Sequence, residues 1–522
     1  MKASIIKLTL IATLLFSITF GALAKVIYVD GFANNGGDGS SWEKAFITIN
    51  EGLNAATSGD KIWVASDIYT GQYIMKSGVY VYGGFNATET SLEQRDFIKN
   101  RTILKNSNGL VLKNQSGLTE DACFDGFDIK DARTLTGNGG GGYLSPKMHL
   151  KNCRILNCTS EVGTGGGIAL DAGASVENCI FAGNSSKGIG GGLNMNKGGT
   201  AKNCIFINNF ARGNSGGGIA ASSSTDGSVY PVIVNCLLAN NEAYANGGGI
   251  WTQGGYITNC TIVRNKTQRE DAQGNGGGIS LDGISSGETL LRAGEIYNSV
   301  IWGNDAIKPD ADKKQLFITR YAPDGTILFY KGKLSHCAIQ DLQNVTEYSA
   351  DVINPTTLIN LNTDNSMVKF TNPSTTAGVL SAFDPTTFSS TFDITNYNYK
   401  WEASSGSVLI NAGNNAKNTL ITTDLKGENR IYDQLIDLGA YESTTPTSTK
   451  ELSHNNNLKC YLSSDKTYLI TNTEGASEIS LYNISGELIK KETIRGGSLN
   501  VSDLSAGIYF VVVDKTIGKF IK

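Results

Sequence analysis

Six glycine triplets recur along the middle of the chain, beginning at Gly140, Gly165, Gly190, Gly216, Gly247 and Gly276. Each is followed by an Asn-Cys-x-apolar-x-x-Asn phrase or a close variant, at a step of about 25 residues, so the chain must build similar units one upon another. The phrase reads Asn178-Cys179-Ile180-Phe181-Ala182-Gly183-Asn184 and returns at Asn203-Cys204 to Asn209, Asn235-Cys236 to Asn241 and Asn259-Cys260 to Asn265. Asn152-Cys153 keeps its start but has Cys158 in the second Asn slot, and Asn298-Ser299 to Asn304 has Ser for Cys. After each triplet an alternating pair such as Ile168/Leu170, Leu193/Met195 or Ile279/Leu281 marks a period-two strand.

Short strands rising about 3.3 Å per residue turn through three sheets in such a unit and return one strand spacing, about 4.8 Å, along an axis. This predicts an all-β fold, a parallel β-helix. Stacked asparagines suit its corners, where a short amide side chain tolerates left-handed backbone and bonds along the stack. Stacked glycines suit places where successive backbones approach closely. A leucine-rich repeat has a similar period but needs several leucines per unit, and leucine is too scarce here.

The chain has 522 residues with 62 Gly, 8 Pro and 18% charged residues, against a usual charged share of about 25%. This favours a β solenoid over a helical array. Net charge is −4 and no Lys/Arg block is present, which argues against nucleic acid and against a polybasic membrane patch. Lys2 and Lys7 precede an apolar run from Leu8 to Phe20, and Ala22-Leu23-Ala24 supplies small residues for cleavage after Ala24. Residues 1–24 therefore read as an export signal, too short for a membrane span, and no other stretch is a candidate span.

Nine cysteines in an exported chain first suggest disulfides. Yet Cys153, Cys179, Cys204, Cys236 and Cys260 occupy one slot in successive coils, with Ser299 in the same column. Free buried thiols are expected, although neighbours one coil apart lie within disulfide range. Zinc is not expected without converging Cys-x-x-Cys pairs or His.

Residues 25–104 differ from the repeats and read as an N-terminal cap with the first coils. Phe46, Ile49, Leu53 and Ala56 follow helical spacing, and a short helix here would cover the open end of the stack. The coils extend over 105–442 with a closing cap, a Ser/Thr/Pro/Asn-rich linker spans 443–457, and 458–522 is a separate unit of alternating strands. The gap from the last triplet Gly to the Cys slot is 12 residues at Gly167/Cys179 but 18 at Gly218/Cys236 and 21 at Gly278/Ser299. Ser222 to Tyr230 and Gly283 to Gly294 should therefore leave the stack on one side, where a binding surface could form.

Asp38-Gly39-Ser40-Ser41-Trp42, Ser58 to Ala65 and Gly78 to Phe85 resemble the opening of exported right-handed β-helix proteins of the Bacteroidetes type. Gly165 to Ile168 and Phe181 to Asn184 resemble repeats of chlamydial polymorphic outer-membrane proteins. That resemblance implies adhesion, although this chain lacks the family's C-terminal barrel. Gly406 to Gly413, Asp424 to Arg430 and Ile436 to Glu442 resemble the closing segment of the same β-helix type and read as final coils and cap. Ile479 to Ile489, Leu504 to Val513 and Gly518 to Lys522 resemble the sorting domain of the type IX secretion system, without its usual Pro-Asn-Pro phrase. This implies the secretion machinery as a partner of residues 458–522, with outer-membrane translocation, tail removal and surface attachment or release.

Catalysis by a glycosidase would need two carboxyls about 5 to 9.5 Å apart. The slot six residues after the first triplet Gly holds Asp171, Asn196, Ser222, Gln253 and Asp282, so its two acids lie four coils, about 19 Å, apart. Lys151, Glu177 and Lys202 form a charge ladder two before the Cys slot, and none of His149, His336 and His454 suggests a triad. Asp125, Asp128 and Asp131 are the candidate metal ligands, converging only if their strand runs unbroken. No cofactor is expected. The function expected is surface-displayed binding or adhesion, with carbohydrate or host matrix as target. The alternative is a polysaccharide lyase or glycoside hydrolase with a groove in the irregular coils around Phe317 to Phe392.

Overall fold

The computed structural model describes residues 24–444 and 460–522 apart from short breaks, the longest being 308–313, 322–328, 342–356 and 361–366. The export signal, most of the 443–457 linker and His454 lie outside the described residues. Residues to Thr444 form one compact unit and those from Thr445 another.

The first unit is a parallel β-helix. One coil runs through Ile168–Asp171, Ser175–Glu177, Ile180–Ala182 and Ser185–Ser186 before the next begins at Leu193–Asn196. Each strand pairs in parallel with its counterpart one coil away, as in Phe181 with Phe206 and Glu177 with Lys202. The first sheet, containing Ser175–Glu177, and the second, containing Ile180–Ala182, have eleven strands each; the sheet containing Ile168–Asp171 has nine. A fourth sheet of seven two-residue strands, containing Ser185–Ser186, is additional to the three expected. It arises because the second Asn of the phrase stays inside the coil, and the chain needs two more extended residues before the glycines turn it.

Both asparagine expectations hold, for different reasons at the two slots. Asn152, Asn178, Asn203, Asn235, Asn259 and Asn298 all have φ between 48° and 55°, making the left-handed corner between the first and second sheets. The other slot is an internal ladder. Asn184, Asn209, Asn241 and Asn265 are fully buried. From Asn209 on, each Oδ1 accepts from the backbone and the Nδ2 of the preceding Asn, while Asn184 Oδ1 accepts from the Cys158 amide, and each Nδ2 also reaches a carbonyl one coil back; Asn241 Nδ2, for example, lies 2.9 Å from Asn265 Oδ1 and from Phe206 O. In the triplets, Gly165 takes φ 67°, and a Cβ on Gly166 would meet Gly191 O at 2.2 Å.

Cys153, Cys179, Cys204, Cys236 and Cys260 stack as read, with Ser299 and Cys337 following. The eight cysteines of the coil unit are free and buried. Each thiol of the column leans on a carbonyl of the preceding coil, as Cys204 on Val176 at 3.6 Å. At the N-terminal end, the helix Ile49–Ala55 is capped by Thr48 and Glu51 and buries Ile49 and Leu53 in the same core as Val29 and Ile62.

The closing segment behaves differently from the final coils expected. Among the described residues the last strand in the parallel ladders is Leu358–Asn360. Residues 367–444 run back along the outside of the second sheet, where Trp401, Leu409, Leu438 and Val368 cover Ile207, Leu237, Val263, Val300 and Trp302. The physical reason is in the phrase itself: its apolar residues face both ways, so the outer face of this sheet needs a cover. Asn157 Nδ2 donates to Phe392 O at 3.2 Å and Asn240 Nδ2 to Thr376 O at 2.7 Å on one edge; Asn235 donates to Thr423 O and Asn298 to Asn414 O on the other. The irregular region from Phe317 to Phe392 is accordingly split, part outside the described residues and part spent on this cover.

The second unit has antiparallel sheets of three and four strands around Leu469, Ile479, Leu481, Leu499, Val511 and Phe520. Its longest hairpin, Ala476–Asn483 with Leu488–Arg495, turns on Gly486 at φ 80°, where Asn483 Oδ1 accepts from the Ser485 and Glu487 amides.

Candidate functional site

The first sheet keeps an outer face that the closing segment does not cover, and two walls make it a trough. One wall is the returning chain at 414–427. Asn414 is bonded both ways to Asn298, and Asn418 Oδ1 accepts from Asn259 at 2.9 Å. The other wall is formed by the two long insertions, which lie together as their lengths implied. Residues 284–292 form an antiparallel hairpin, and Arg292 of that hairpin stacks 3.3 Å from the ring centroid of Tyr230 in the other insertion.

Strand register orders the floor. One row runs His149, Ser175, Thr200, Val232, Tyr256, Glu295 and Lys333; the second runs Lys151, Glu177, Lys202, Val234, Thr258, Tyr297 and Ser335. Glu177 sits between Lys151 at 3.3 Å and Lys202 at 3.1 Å. Burial alone would raise its carboxyl, but the two lysines outweigh it and hold the group below the usual carboxylate range. Further along, Tyr256 and Tyr297 pack 5.6 Å apart and Lys417 lies 4.2 Å over the Tyr297 ring. Burial, with Glu295 beside it, pushes the Tyr297 phenol up, so it stays protonated and donates to Glu295 Oε2 at 3.1 Å. Such a tyrosine is a hydrogen-bond donor rather than a base.

Between the floor and the 414–427 wall lie two adjoining hollows of about 520 Å³ and 430 Å³ that share Asn203 and Thr423. The corner asparagines bond one another at only two places along the column; Asn259 and Asn298 turn their amides to Asn418 and Asn414 of the returning chain instead, whereas beside the hollow nothing replaces the missing bond. Asn178 Nδ2 donates to Asn152 Oδ1 and Asn235 Nδ2 to Asn203 Oδ1, but no bond joins Asn178 to Asn203. Among the described residues, Asn178 Oδ1 and Asn203 Nδ2 thus face the hollow without a partner, one coil apart.

The candidate metal ligands are not brought together. Gly126, at φ 85°, breaks the run into Ala122–Asp125 and Phe127–Lys130. Asp125 pairs with Arg95 at 2.8 Å, Asp128 with Arg154 and with Arg101 at 3.5 Å, and Asp131 with Lys105 at 2.9 Å. Among the described residues no cluster of three or more His, Cys, Asp or Glu is placed to hold a metal ion. Asp171 and Asp282 stand at opposite ends of one column, Asp171 tied to Tyr143 at 2.6 Å and to Asn196 at 3.0 Å. His149 bonds Ser175 at 2.7 Å and His336 bonds Ser335 at 2.6 Å.

Sequence reasoning found the charge ladder, whose slot ends at Tyr297, and the insertions, but gave no role to Tyr256, Arg292 or Lys417. The alternation of their strands was a usable signal for the two tyrosines. Nothing local could place Lys417 beside Tyr297.

Comparison with known proteins agrees with this architecture. Residues 77–229 match the right handed beta helix region family, and residues 463–522 match the secretion system C-terminal sorting domain family. The chain is an exported right-handed parallel β-helix protein. Its sorting domain, of the type IX system, directs it across the outer membrane to the cell surface or beyond and implies interaction with that machinery. Among solved structures, this β-helix protein is similar to the pectate lyase Pel9A at 14% identity and TM-score 0.29, covering 81% of this chain and 97% of that one. It is also similar to a rhamnogalacturonan lyase at 14% identity and TM-score 0.31, covering 61% and 81%. At this distance neither likeness carries an activity across. No curated protein matches the chain significantly. No helix among the described residues is long and apolar enough to cross a membrane.

Proposed function

We propose that the protein is a surface-displayed binding protein, an adhesin in the broad sense, whose ligand is a glycan lying along the trough. The observation that carries this reading is the break in the asparagine chain at Asn178 and Asn203. A free amide acceptor and a free amide donor, one coil apart, match the adjacent hydroxyls of a sugar, which both donate and accept. The half-buried Tyr256, two coils further along the floor, supplies amphipathic surface. The trough is elongated along the coil axis, as an extended chain requires. Two carboxylates line the hollows: Glu177 is held by two lysines and Asp424 by three backbone amides, so both are poorly placed to act as an acid or base.

The test is retention of the mature chain on a glycan array, with reducing-end and unsaturated-product assays on the same samples. Glycan retention without chain shortening is expected. Asn203→Asp, which suits the left-handed corner and still accepts from Asn235 but lacks the amide donor, and Tyr256→Ala should each weaken binding about tenfold, the equivalent of one or two lost contacts at about 1 kcal/mol each. Shortening of a polysaccharide would replace binding with a lyase or hydrolase role. Retention only on a protein matrix would overturn the glycan assignment.

A further inference from the structure

Resting on the glycan reading, we infer that the trough selects anionic polysaccharides, those carrying carboxylate or sulfate groups, over neutral ones. The chain as a whole is acidic, with net charge −4. The trough is the reverse. Along its floor and walls stand Lys151, Lys202, Arg292, Lys333 and Lys417, and the carboxylates beside them are Glu177, Glu295, Asp226 of the insertion and Asp125, which Arg95 already pairs. Glu177 is shared by Lys151 and Lys202, leaving one positive charge over. Arg292 reaches Glu295 only at 4.0 Å, while its Nε donates to Gly254 O at 2.6 Å. Lys333 and Lys417 have no carboxylate within ion-pair distance among the described residues, and Lys417 lies on the Tyr297 ring instead.

These cations are not clustered at one point. Lys151 and Lys202 stand two coils apart, Tyr297 with Lys417 three coils beyond Lys202, and Lys333 one coil further, so positive charge recurs over about 29 Å of the axis. A single small anion would need convergence. A chain with a charge on every residue or every second residue needs repetition instead. The low-dielectric wall at 414–427 strengthens each attraction relative to an open surface.

The experiment compares two polymers with one backbone, carboxymethyl-cellulose and hydroxyethyl-cellulose, in affinity electrophoresis and titration with the full mature chain. At low salt the anionic polymer should bind at least tenfold more tightly, and the preference should shrink as salt is raised. Arg292→Gln with Lys417→Ala should cut the preference for the anionic polymer at least threefold, since three cations remain, and should lower the salt dependence of its binding. Lys113→Ala, exposed on the sheet that contains Ile168–Asp171, should leave the preference intact, which separates a trough effect from bulk ion exchange. Equal binding of both polymers would overturn the charge selectivity and leave glycan binding standing. A preference undiminished by the double variant would equally overturn it. Failure to bind these and every arrayed glycan would remove the glycan reading itself.

Discussion

The strongest single-residue commitments lie in the buried asparagine ladder. Asn241 is fully buried, gives its two amide hydrogens to Asn265 and Phe206, and takes the amide and side-chain hydrogens of Asn209. Asn241→Ala strands several of these groups without water, so about 3 kcal/mol of unfolding free energy should be lost, measured by denaturant titration. The cysteine column one turn away predicts the contrary. Ser299 already fills that slot, donating to Tyr297 O at 2.7 Å, so Cys204→Ser should cost under about 1 kcal/mol. Burial pushes the thiols of Cys153, Cys179, Cys204 and Cys236 well above their usual range. In a native-state thiol titration these four should stay silent until denaturant is added. Rapid reaction of any of them would mean the coils open locally. These slots were legible in the sequence because each recurs, and a column of identical residues identifies its own environment.

At the scale of the element, the returning segment is held by a buried charge cluster. Arg430 is enclosed, its Nη2 donating to Asp437 O at 3.0 Å and to Gly439 O, with Glu442 3.8 Å from Nη1. Asp424 accepts the amides of Lys426, Glu428 and Glu442, which fixes the turn behind the trough wall. Three carboxyls against one guanidinium leave an excess of negative charge in a dry site. Burial, with Asp437 beside it, therefore raises the Glu442 carboxyl from 4.5 to about 8. The folded state thus holds this proton more tightly than the unfolded chain does. The resulting stability is full below pH 4.5 and is lost as pH rises through about 8. The melting temperature should fall across that window, and Glu442→Gln should flatten the fall. An unchanged slope in the variant would place the titration elsewhere. The residues of this cluster stood out in the sequence as a closing phrase, but as the end of the stack rather than its flank. An apolar phrase facing two ways was the overlooked sign that a cover must exist.

For the whole molecule, the covered face and the open face define each other. Trp401 is buried among the residues laid over the second sheet and meets Phe370 edge to face at 5.3 Å. Trp401→Ala should cost about 3 to 5 kcal/mol and raise binding of an apolar dye, since it uncovers a sheet face that sequence has made apolar. The sorting unit has its own core. Truncation after Thr444 should leave the coil unit's unfolding transition in place but trap the protein in the periplasm, read by cell fractionation. Surface delivery of the truncated chain would show that another signal exports it.

The amino-acid sequence by itself determined the coil, its period, its corners, its buried columns and the nature of the tail. Each of these is a local rule applied repeatedly, and repetition makes a local rule visible. Only the tertiary structure decided which face of the coil is open. That choice rests on contacts such as Asn298 with Asn414 and Asn157 with Phe392, between residues 116 and 235 positions apart, which occur once each and follow no period. The trough exists because the chain's end lies back on one sheet and stops at the edge of the next.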